Sequence, residues 1–458
     1  MIHATDTICA PATSAGTGAI AVIRVSGPDA LAAVDRVVAF RSGTAAAAKG
    51  YTVKFGNAAG LDDVLVSIFR APRSYTGEDA AEISCHASPY IVSALLDKLT
   101  EAGCRLAEPG EFTRRAYVNG KMDLAQAEAV ADVIAASSAA QHRVAMNQLR
   151  GGYSAELRGL RKQLLELTSL LELELDFSEE DVEFADRSRL RDLLGTACSH
   201  CRQLADSFRL GNAIKNGVPV AIVGAPNSGK STLLNALLRD DRAIVSDIPG
   251  TTRDTVEETC VIDGVLFRFI DTAGIREASD EVERLGIERT FRKIGEAEIV
   301  LGVVDASMPQ EAVSAAISEI EGRIDPARQK LLILLNKEDK TKPASGTVTI
   351  SGPGGRCAAL RISAKHGAGL EELRATLAAS AGVASATGTL VTNARHAAAL
   401  REAAASLSAV SDGLDRGIPP DLLAEDLRAA LTSLGSITGL ITTDEVLGEI
   451  FSKFCIGK

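Results

Sequence analysis

The sequence predicts a multidomain protein in which an α/β domain is inserted into an all-α helical domain, with an α+β domain ahead of both. Short apolar strands alternate with turns and a few helical stretches over residues 1–118. Long helical patterns with few turn residues fill residues 125–175, and helical character returns after residue 391. Over residues 216–380, apolar strands alternate with helical stretches, which is typical of a mostly parallel sheet with crossover helices.

Length and charge limit the classes of protein to consider. A chain of 458 residues is too long for one ordinary core, and we expect two to four domains. The net charge of −11 offers no general surface for gripping nucleic acid, so an RNA partner would be met through a local patch or a second protein. No apolar run approaches the roughly 18 residues that span a bilayer. The first residues lack the regions of a signal peptide, and we expect a cytoplasmic location.

The cysteines do not resemble a disulfide framework, because the eight of them are scattered along the chain. Cys198 and Cys201 are the only close pair, and they have no second ligand cluster nearby, whereas a zinc site normally needs four ligands. We therefore interpret this pair as helix surface and core.

A phosphate-binding loop begins the α/β domain. Gly224–Ser231 reads Gly-Ala-Pro-Asn-Ser-Gly-Lys-Ser, between the apolar strand Val218–Val223 and the helical run Thr232–Leu238. A strand, a glycine-rich turn and a helix aim backbone N–H groups and the positive helix end at one point, where polyphosphate oxygens can bind. Lys230 would reach the β and γ phosphates, and the Ser231 hydroxyl would bind Mg²⁺. The loop predicts a nucleotide site.

Two further segments have the spacing of a nucleotide switch. Asp271–Gly274 follows the strand Leu266–Ile270 directly, which would place the Asp271 carboxylate near Mg²⁺ and the Gly274 N–H near the γ-phosphate. In Gly250–Asp254, a threonine hydroxyl can complete the Mg²⁺ shell only while a γ-phosphate is present. This segment is a candidate order–disorder switch.

Base specificity is predicted by two motifs later in the domain. The Asp339 carboxylate can accept hydrogen bonds from N1–H and the 2-amino group of guanine, whereas adenine has no matching donor pair. Asn336, directly after the strand Leu331–Leu335, would brace the pocket, and the Lys337 stem can lie along the purine. Ser363–Lys365 would offer backbone N–H groups to O6. Together the motifs predict that the nucleotide is GTP.

The sequence lacks the usual residue that positions water for hydrolysis. Small signalling GTPases have glutamine after the Asp-x-x-Gly element, but Ile275 stands here and cannot hydrogen-bond water. A carboxylate within Glu277–Glu283 could act directly or through a second water; alternatively, this stretch is a solvated helix start capped by Ser279. The side-chain carbonyl of Asn227 could hold a monovalent cation in place of an arginine finger, or Asn227 could only brace the loop.

Together with the chain ends, these motifs resemble the TrmE/MnmE family of tRNA-modifying GTPases over essentially the whole length. Beyond the shared GTPase elements, the resemblance is carried by Asp6-Thr-Ile8, Ala12-Thr13, Ile23-Arg24-Val-Ser-Gly27, Tyr75-Thr-Gly-Glu-Asp79, Pro109-Gly-Glu-Phe-Thr113, Asn119-Gly-Lys-Met-Asp-Leu-Ala-Gln-Ala-Glu128, Asp271-Thr-Ala-Gly-Ile-Arg-Glu277 and Phe454-Cys-Ile-Gly-Lys458.

The resemblance implies a folate-binding, dimerising α+β domain at 1–118, a discontinuous all-α helical domain at 119–215 and 385–458, and a Ras-like P-loop G domain at 216–384. It implies a homodimer whose G domains meet across K⁺ when GTP is hydrolysed. It also implies a heterotetramer with an FAD-dependent partner of the MnmG/GidA type. Such complexes install a carboxymethylaminomethyl or aminomethyl group at C5 of the wobble uridine of certain tRNAs. The one-carbon unit comes from 5-formyl- or 5,10-methylene-tetrahydrofolate.

Carried over residue by residue, the resemblance assigns Glu283 as the catalytic, water-orienting carboxylate. It assigns Mg²⁺ to Ser231 and Thr252, K⁺ to Asn227, Ser246, the Ile248 carbonyl and Thr251, and folate to Arg24, Glu82, Lys121 and Lys458. The implied GTP-binding residues are Asn227, Ser228, Gly229, Lys230, Ser231, Thr232, Ser246, Asp247, Ile248, Pro249, Gly250, Thr251, Thr252, Asp271, Thr272, Ala273, Gly274, Asn336, Lys337, Asp339, Ser363, Ala364 and Lys365.

Two features of the folate region leave alternatives open. Cys455 could be a nucleophile towards a one-carbon adduct, or it could be a plain buried cysteine. Where the family usually has Gly-x-Gly-Gly-Ile-Gly, this chain has Gly16-Thr-Gly-Ala-Ile-Ala21, and the two added methyl groups could narrow a close backbone approach.

The main competing function is a ribosome-assembly or RNA-binding GTPase switch. Such proteins usually carry a basic RNA-binding domain, whereas the region after Leu390 is helical and has no such feature. A membrane-remodelling GTPase would need a basic or amphipathic anchoring surface, and none is evident in the sequence.

Overall fold

In a computed structural model, which describes most of the chain, the protein forms two compact units. The first comprises Met1–Ala131, Gln148–Glu166 and Arg428–Lys458, and the second comprises Asp132–Asn147 and Leu167–Leu427. The described residues are 6–176, 187–238, 257–270, 295–341, 346–352, 355–383, 388–452 and 454–457.

The first unit contains a seven-stranded sheet that is antiparallel except at one edge. Its strands are β1 (Ile8–Pro11), β2 (Gly18–Ser26), β3 (Val38–Phe40), β4 (Thr52–Ala58), β5 (Asp62–Phe69), β6 (Ala80–Ala87) and β7 (Arg105–Leu106). Their order is β3-β4-β5-β6-β2-β1-β7, and only β1 and β7 pair in parallel.

Alternating burial explains why one face of this sheet carries helices. In β5, Val64, Val66 and Ile68 are buried while the intervening residues face the other way. These side chains share a core with Leu95 and Leu99, which lie one turn apart on a helix. That helix is α2 (Pro89–Glu101), which begins with proline, as is common at a first helical position, and α1 (Ala30–Val37) packs beside it.

The second unit contains a second sheet, over residues 218–361, and helices dominate the chain before and after it, as the sequence predicts. Before that sheet they are α3 (Glu111–Val118), α4 (Leu124–Ala135), α5 (Ala139–Leu149), α6 (Gly152–Asp176), α7 (Arg187–Asp206) and α8 (Phe208–Asn216).

The second unit contains a sheet whose five central strands are parallel. Antiparallel strands form its two edges, and the order is β13-β14-β12-β11-β8-β10-β9. The strands are β8 (Val218–Val223), β9 (Glu257–Ile262), β10 (Val265–Ile270), β11 (Ile299–Asp305), β12 (Lys330–Asn336), β13 (Gly346–Gly352) and β14 (Gly355–Arg361).

This sheet positions the predicted nucleotide site at one edge. Strands β8 and β11 are buried along almost their whole length, as expected for parallel strands covered on both faces. Because β8, β10, β11 and β12 run in the same direction, their carboxyl ends lie at the same edge of the sheet. The remaining helices are α9 (Lys230–Leu238), α10 (Gln310–Glu321), α11 (Leu370–Ser380), α12 (Ala394–Asp415), α13 (Pro420–Thr438) and α14 (Asp444–Ser452).

Cys198 and Cys201 belong to the core, in part as the sequence analysis interprets this pair. Both lie in α7 and are buried free cysteines. In the described ranges, the structure contains no group of three or more His, Cys, Asp or Glu residues that could hold a metal ion. Across the same ranges, none of the helices has the length and apolar character needed to cross a membrane.

Candidate functional site

The phosphate loop links β8 to α9, and its backbone requires glycine at a critical point. Gly229 has φ +103°, and a Cβ atom there would collide with the Asn336 side-chain amide. Asn227 also has a left-handed backbone, with φ +62°, a conformation that asparagine tolerates better than most residues. Its side chain is exposed at the tip of the loop.

Lys230 holds its ammonium group over this loop. Its Nζ donates to the carbonyl oxygens of Gly224 at 2.8 Å and Ala225 at 2.9 Å. Burial lowers the pKa of Lys230 from its ordinary value, although the group keeps two hydrogen-bond acceptors. The loop therefore presents a cation where backbone N–H groups and a helix N-terminus also converge, which suits a polyphosphate.

Asn336 ties the phosphate loop to the predicted base-binding loop. It ends β12 and is 3% exposed. Its Nδ2 donates to the Ser228 carbonyl at 2.8 Å, and its Oδ1 accepts from the Ala364 N–H at 3.0 Å. The predicted bracing role of Asn336 therefore has a physical basis in two hydrogen bonds that join separate segments.

The Asp339 carboxylate is oriented by the same base-binding loop. Its Oδ1 accepts from the Ser363 hydroxyl at 2.6 Å, and His366 Nε2 lies 3.8 Å from Oδ2. The Ser363 hydrogen bond lowers the pKa of Asp339 below its ordinary value, with smaller contributions from His366 and Lys365. An ionised carboxylate with one anchored oxygen can accept two N–H bonds from a guanine edge.

Lys337 makes a contact that the sequence analysis missed. Its Nζ lies 2.6 Å from Oδ2 of Asp305, the last residue of β11. Partial burial alone would raise the pKa of Asp305, but hydrogen bonds from Lys337 and Ser307 outweigh it and lower the pKa. One feature of the sequence could have indicated this contact: Asp305 is an acidic residue at the carboxyl end of a buried parallel strand. That strand lies next to the strand that ends in Asn336.

The described members of the predicted GTP set thus gather at one edge of the parallel sheet. These members are Asn227, Ser228, Gly229, Lys230, Ser231, Thr232, Asn336, Lys337, Asp339, Ser363, Ala364 and Lys365. The remaining predicted residues lie outside the described residues: Ser246, Asp247, Ile248, Pro249, Gly250, Thr251, Thr252, Asp271, Thr272, Ala273, Gly274, Ile275, Glu283 and Lys458.

Arg24 is the centre of a second polar cluster, in the first unit. It lies opposite Glu82 in the β2–β6 register, and its Nε and Nη2 donate to Glu82 Oε1 at 3.0 and 2.8 Å. Its Nη1 donates to the Gly457 carbonyl at 3.1 Å. The guanidinium carbon lies 5.4 Å from the Tyr75 ring centre and 5.6 Å from that of Phe112, within reach of cation–π attraction. The structure thus joins Arg24 and Glu82 of the predicted folate set to the C-terminal segment.

Lys121 and Cys455 are the other two described residues that the sequence analysis connects with the folate site. Lys121 Nζ donates to the Pro72 carbonyl at 2.8 Å. Cys455 is exposed, so its interpretation as a plain buried cysteine is wrong. Its backbone carbonyl accepts from the Gly110 N–H at 3.4 Å, which holds the C-terminal segment while leaving the thiol accessible.

The parallel sheet, the phosphate loop at its carboxyl edge and the Asn336–Asp339 motif define a P-loop protein of the GTPase class. Two family models match the chain: "GTP-binding protein TrmE N-terminus" over residues 7–121 and "MnmE helical domain" over residues 124–455. Because the second match extends on both sides of the parallel sheet, the P-loop domain is an insertion in a discontinuous helical domain.

Full-length relatives extend this match. A protein of Bacteroides thetaiotaomicron named tRNA modification GTPase MnmE is 50% identical, over 99% of this chain and 99% of that protein. Proteins of the same name from Parabacteroides distasonis and Christiangramia forsetii are 49% and 50% identical, over 99% of this chain and 100% and 99% of their own lengths. The chain belongs to the MnmE family of tRNA modification GTPases, and it is a GTP hydrolase.

Proposed function

We propose that the chain hydrolyses GTP in order to drive modification of C5 of the wobble uridine of certain tRNAs. The product is carboxymethylaminomethyl- or aminomethyl-uridine, and a tetrahydrofolate derivative supplies the one-carbon unit. An FAD-dependent partner of the MnmG/GidA type completes a heterotetramer with a homodimer of this chain in the cytoplasm. The observation that carries the nucleotide part is the Asn336 bridge between phosphate and base loops, beside an anchored Asp339 carboxylate.

In GTP hydrolysis, water attacks the γ-phosphorus and the bond from that phosphorus to the β–γ bridging oxygen breaks. The products are GDP, which keeps the bridging oxygen, and inorganic phosphate. Lys230 and the loop N–H groups would stabilise the charge on the phosphates. Since Ile275 cannot hydrogen-bond water, Glu283 is the proposed water-orienting carboxylate. If GTP turnover by Glu283→Ala equals that of the native protein, this role is wrong.

We include Mg²⁺ and K⁺ in the proposal because the proposed protein donors are hard, neutral oxygens. Mg²⁺ would be held by Ser231 and Thr252, and K⁺ by Asn227 together with Ser246, the Ile248 carbonyl and Thr251. The exposed, left-handed Asn227 at the loop tip supports its role, since its carbonyl oxygen is accessible beside the phosphate-binding turn. K⁺ would neutralise charge during hydrolysis, when two G domains meet. Turnover should therefore be faster in KCl than in NaCl, and Asn227→Ala should remove the difference.

The folate site is proposed at Arg24, Glu82, Lys121 and Lys458. A pterin presents ring N–H groups that suit a carboxylate, and its glutamate tail suits cations. Glu82 is 31% exposed in its side chain and Arg24 is 15% exposed, so both can meet a ligand at the surface. Calorimetry with 5-formyltetrahydrofolate tests this site, and no heat from the native protein would remove it.

The domain bounds that we propose are 1–118, 119–215, 216–384 and 385–458, with the homodimer formed through the first domain. Exposed apolar side chains on the first sheet support self-association: Phe55 and Leu65 are opposite each other on β4 and β5, and Val53 follows on the same face. Light scattering on the native protein and on Leu65→Glu measures the oligomeric state.

The modification itself is tested by removing the gene. Mass spectrometry of tRNA nucleosides should show loss of the wobble-uridine modification. A plasmid copy of the native chain should restore it. Unchanged nucleosides in the deletion strain would contradict the proposed function and leave the GTPase assignment intact.

A further inference from the structure

Asp305 and Lys337 form a close ion pair beside the phosphate loop. The Lys337 Nζ to Asp305 Oδ2 distance is 2.6 Å, and the two side chains are only 25% and 17% exposed. At this degree of burial, water screens the attraction less than it would at a fully exposed pair. The pair is therefore able to fix the position of a long, flexible side chain.

The backbone places these two residues at adjacent strand ends. Asp305 is opposite Asn336 in the β11–β12 register, and the Ala306 N–H donates to the Asn336 carbonyl at 2.8 Å. Lys337 follows with φ +67°, in the turn that ends β12. Both side chains therefore start from rigid, hydrogen-bonded strand ends.

The Asp305 carboxylate is itself held in one orientation. Its Oδ1 accepts from the Ser307 N–H at 2.9 Å and from the Ser307 hydroxyl at 2.6 Å. Its Oδ2 is left for Lys337. Because each oxygen has its own donors, the carboxylate presents a fixed acceptor to the ammonium group.

The ion pair lies on the wall of a cavity that adjoins the phosphate loop. The cavity has a volume of about 400 Å³, and its lining includes Asp305, Lys337, Met308 and the loop residues from Gly224 to Ser228. A lysine side chain has many rotamers, and holding its ammonium group removes most of that freedom before a ligand binds. The other lining residues include Glu319 and Ile320 of α10, whereas Asp339 is not among them. The purine contact of Lys337 therefore rests on the Asn336–Asp339 motif, and holding the ammonium group prepares the stem for that contact.

We propose that Asp305 is a positioning residue for guanine-nucleotide binding that acts through Lys337. Asp305 fixes the Lys337 ammonium so that the aliphatic stem is already in place when the purine arrives. The inference rests on the proposed contact between Lys337 and the purine. It assigns no direct contact between Asp305 and the nucleotide, which fits the unfavourable meeting of a carboxylate with phosphate.

A double-mutant cycle on the full-length protein tests this role, with GDP as the ligand and calorimetry as the measurement. Asp305→Asn should weaken GDP binding about fivefold, as expected for loss of a partly buried ion pair. Lys337→Met keeps the stem without the ammonium group and should also weaken binding. In the Lys337→Met background, Asp305→Asn should have no further effect, because its route to the ligand is already gone.

Three outcomes of the cycle would overturn the inference. One is an equal loss from Asp305→Asn in the native and Lys337→Met backgrounds, which would mean that Asp305 supports the fold alone. The second is native or tighter GDP binding by Asp305→Asn. The third is native binding by Lys337→Met, because that variant keeps the stem and lacks only the anchored ammonium group; the GTPase assignment would still stand on Asp339.

Two further variants protect the test from a folding defect. Asp305→Glu keeps the carboxylate and should restore part of the lost affinity, whereas a loss as large as that of Asp305→Asn would contradict the ion-pair route. Glu311→Gln makes the same change of charge on the exposed face of α10 and should bind GDP as the native protein does. A fivefold loss in this control would show a general charge effect and overturn the inference.

Discussion

The nucleotide site gathers its side chains from short segments that each follow a strand of one parallel sheet, whereas the Arg24 cluster joins opposite ends of the chain. Asn336 is the last residue of β12, and Ser363 lies two residues after the end of β14. Arg24 and Gly457, by contrast, are 433 residues apart. The residues of the nucleotide site can therefore be found from local sequence motifs. The Arg24 cluster forms only after distant segments of the chain have packed together.

Asn336 and Glu82 differ in how deeply their polar contacts are buried. Asn336 is 3% exposed and bridges two loops through hydrogen bonds to backbone partners. Glu82, the partner of Arg24, is 31% exposed, so water can replace part of a lost contact. We therefore expect substitution of Asn336 to have a larger effect than substitution of Glu82.

The largest effect is expected from Asp339→Asn. An amide replaces one acceptor with a donor, which faces the N–H groups of guanine, and GDP binding should weaken about 100-fold. Xanthosine diphosphate has a carbonyl group where guanine has its 2-amino group, so it should bind better to the variant than to the native protein. Calorimetry with both nucleotides measures this exchange. Glu371→Gln, an exposed change of the same charge in the first turn of α11, is the matched control.

Asn336→Ala should have the next largest effect. It removes the partners of the Ser228 carbonyl and of the Ala364 N–H together, and GDP binding should weaken about tenfold. Asn393→Ala removes the N-cap bond of α12 and should cost about 1 kcal/mol of helix stability. If this control weakens GDP binding equally, the effect reflects general destabilisation and the bridge has no special role.

Gly457→Ala should affect the Arg24 cluster through the backbone. Gly457 has φ +92°, and a Cβ atom there would collide with the Pro11 carbonyl, so the C-terminal segment should detach from its site. Hydrogen exchange at the Gly110 amide, which donates to the Cys455 carbonyl, should become faster. Gly417→Ala has similar backbone strain at φ +70° with open space around it, and should leave Gly110 exchange unchanged.

The same difference explains how much the sequence could predict. The strand Val218–Val223 has the predicted bounds, and the predicted strand Leu266–Ile270 begins one residue earlier, at Val265, because apolar runs between turn residues are local signals. The Asn336 bridge was also foreseeable, since its motif sits at a strand end. The Asp305–Lys337 pair was not, because it depends on which strand lies beside β12. The antiparallel edge formed by β13 and β14 was likewise missed.

The C-terminal segment shows more clearly which contacts cannot be predicted from the sequence. Nothing local in Phe454–Lys458 indicates that the Gly457 carbonyl accepts from Arg24, or that Cys455 faces solvent. Only the family resemblance directed attention to both ends of the chain. Long-range contacts of this kind depend on the packing of helices and strands that the sequence describes one at a time.

Glu82→Gln should have the smallest effect, because water can reach the contact between Arg24 and Glu82. The amide still accepts from Arg24 but loses the ionic part of the contact, so 5-formyltetrahydrofolate binding should weaken about fivefold. The Lys98–Glu101 pair is an exposed ion pair on α2, and Glu101→Gln should leave folate binding unchanged. Raising the salt concentration should reduce the Glu82→Gln effect, since a partly exposed ion pair is screened by ions. A loss of 100-fold or more would contradict the expected order of effects, because it would equal the loss expected from Asp339→Asn.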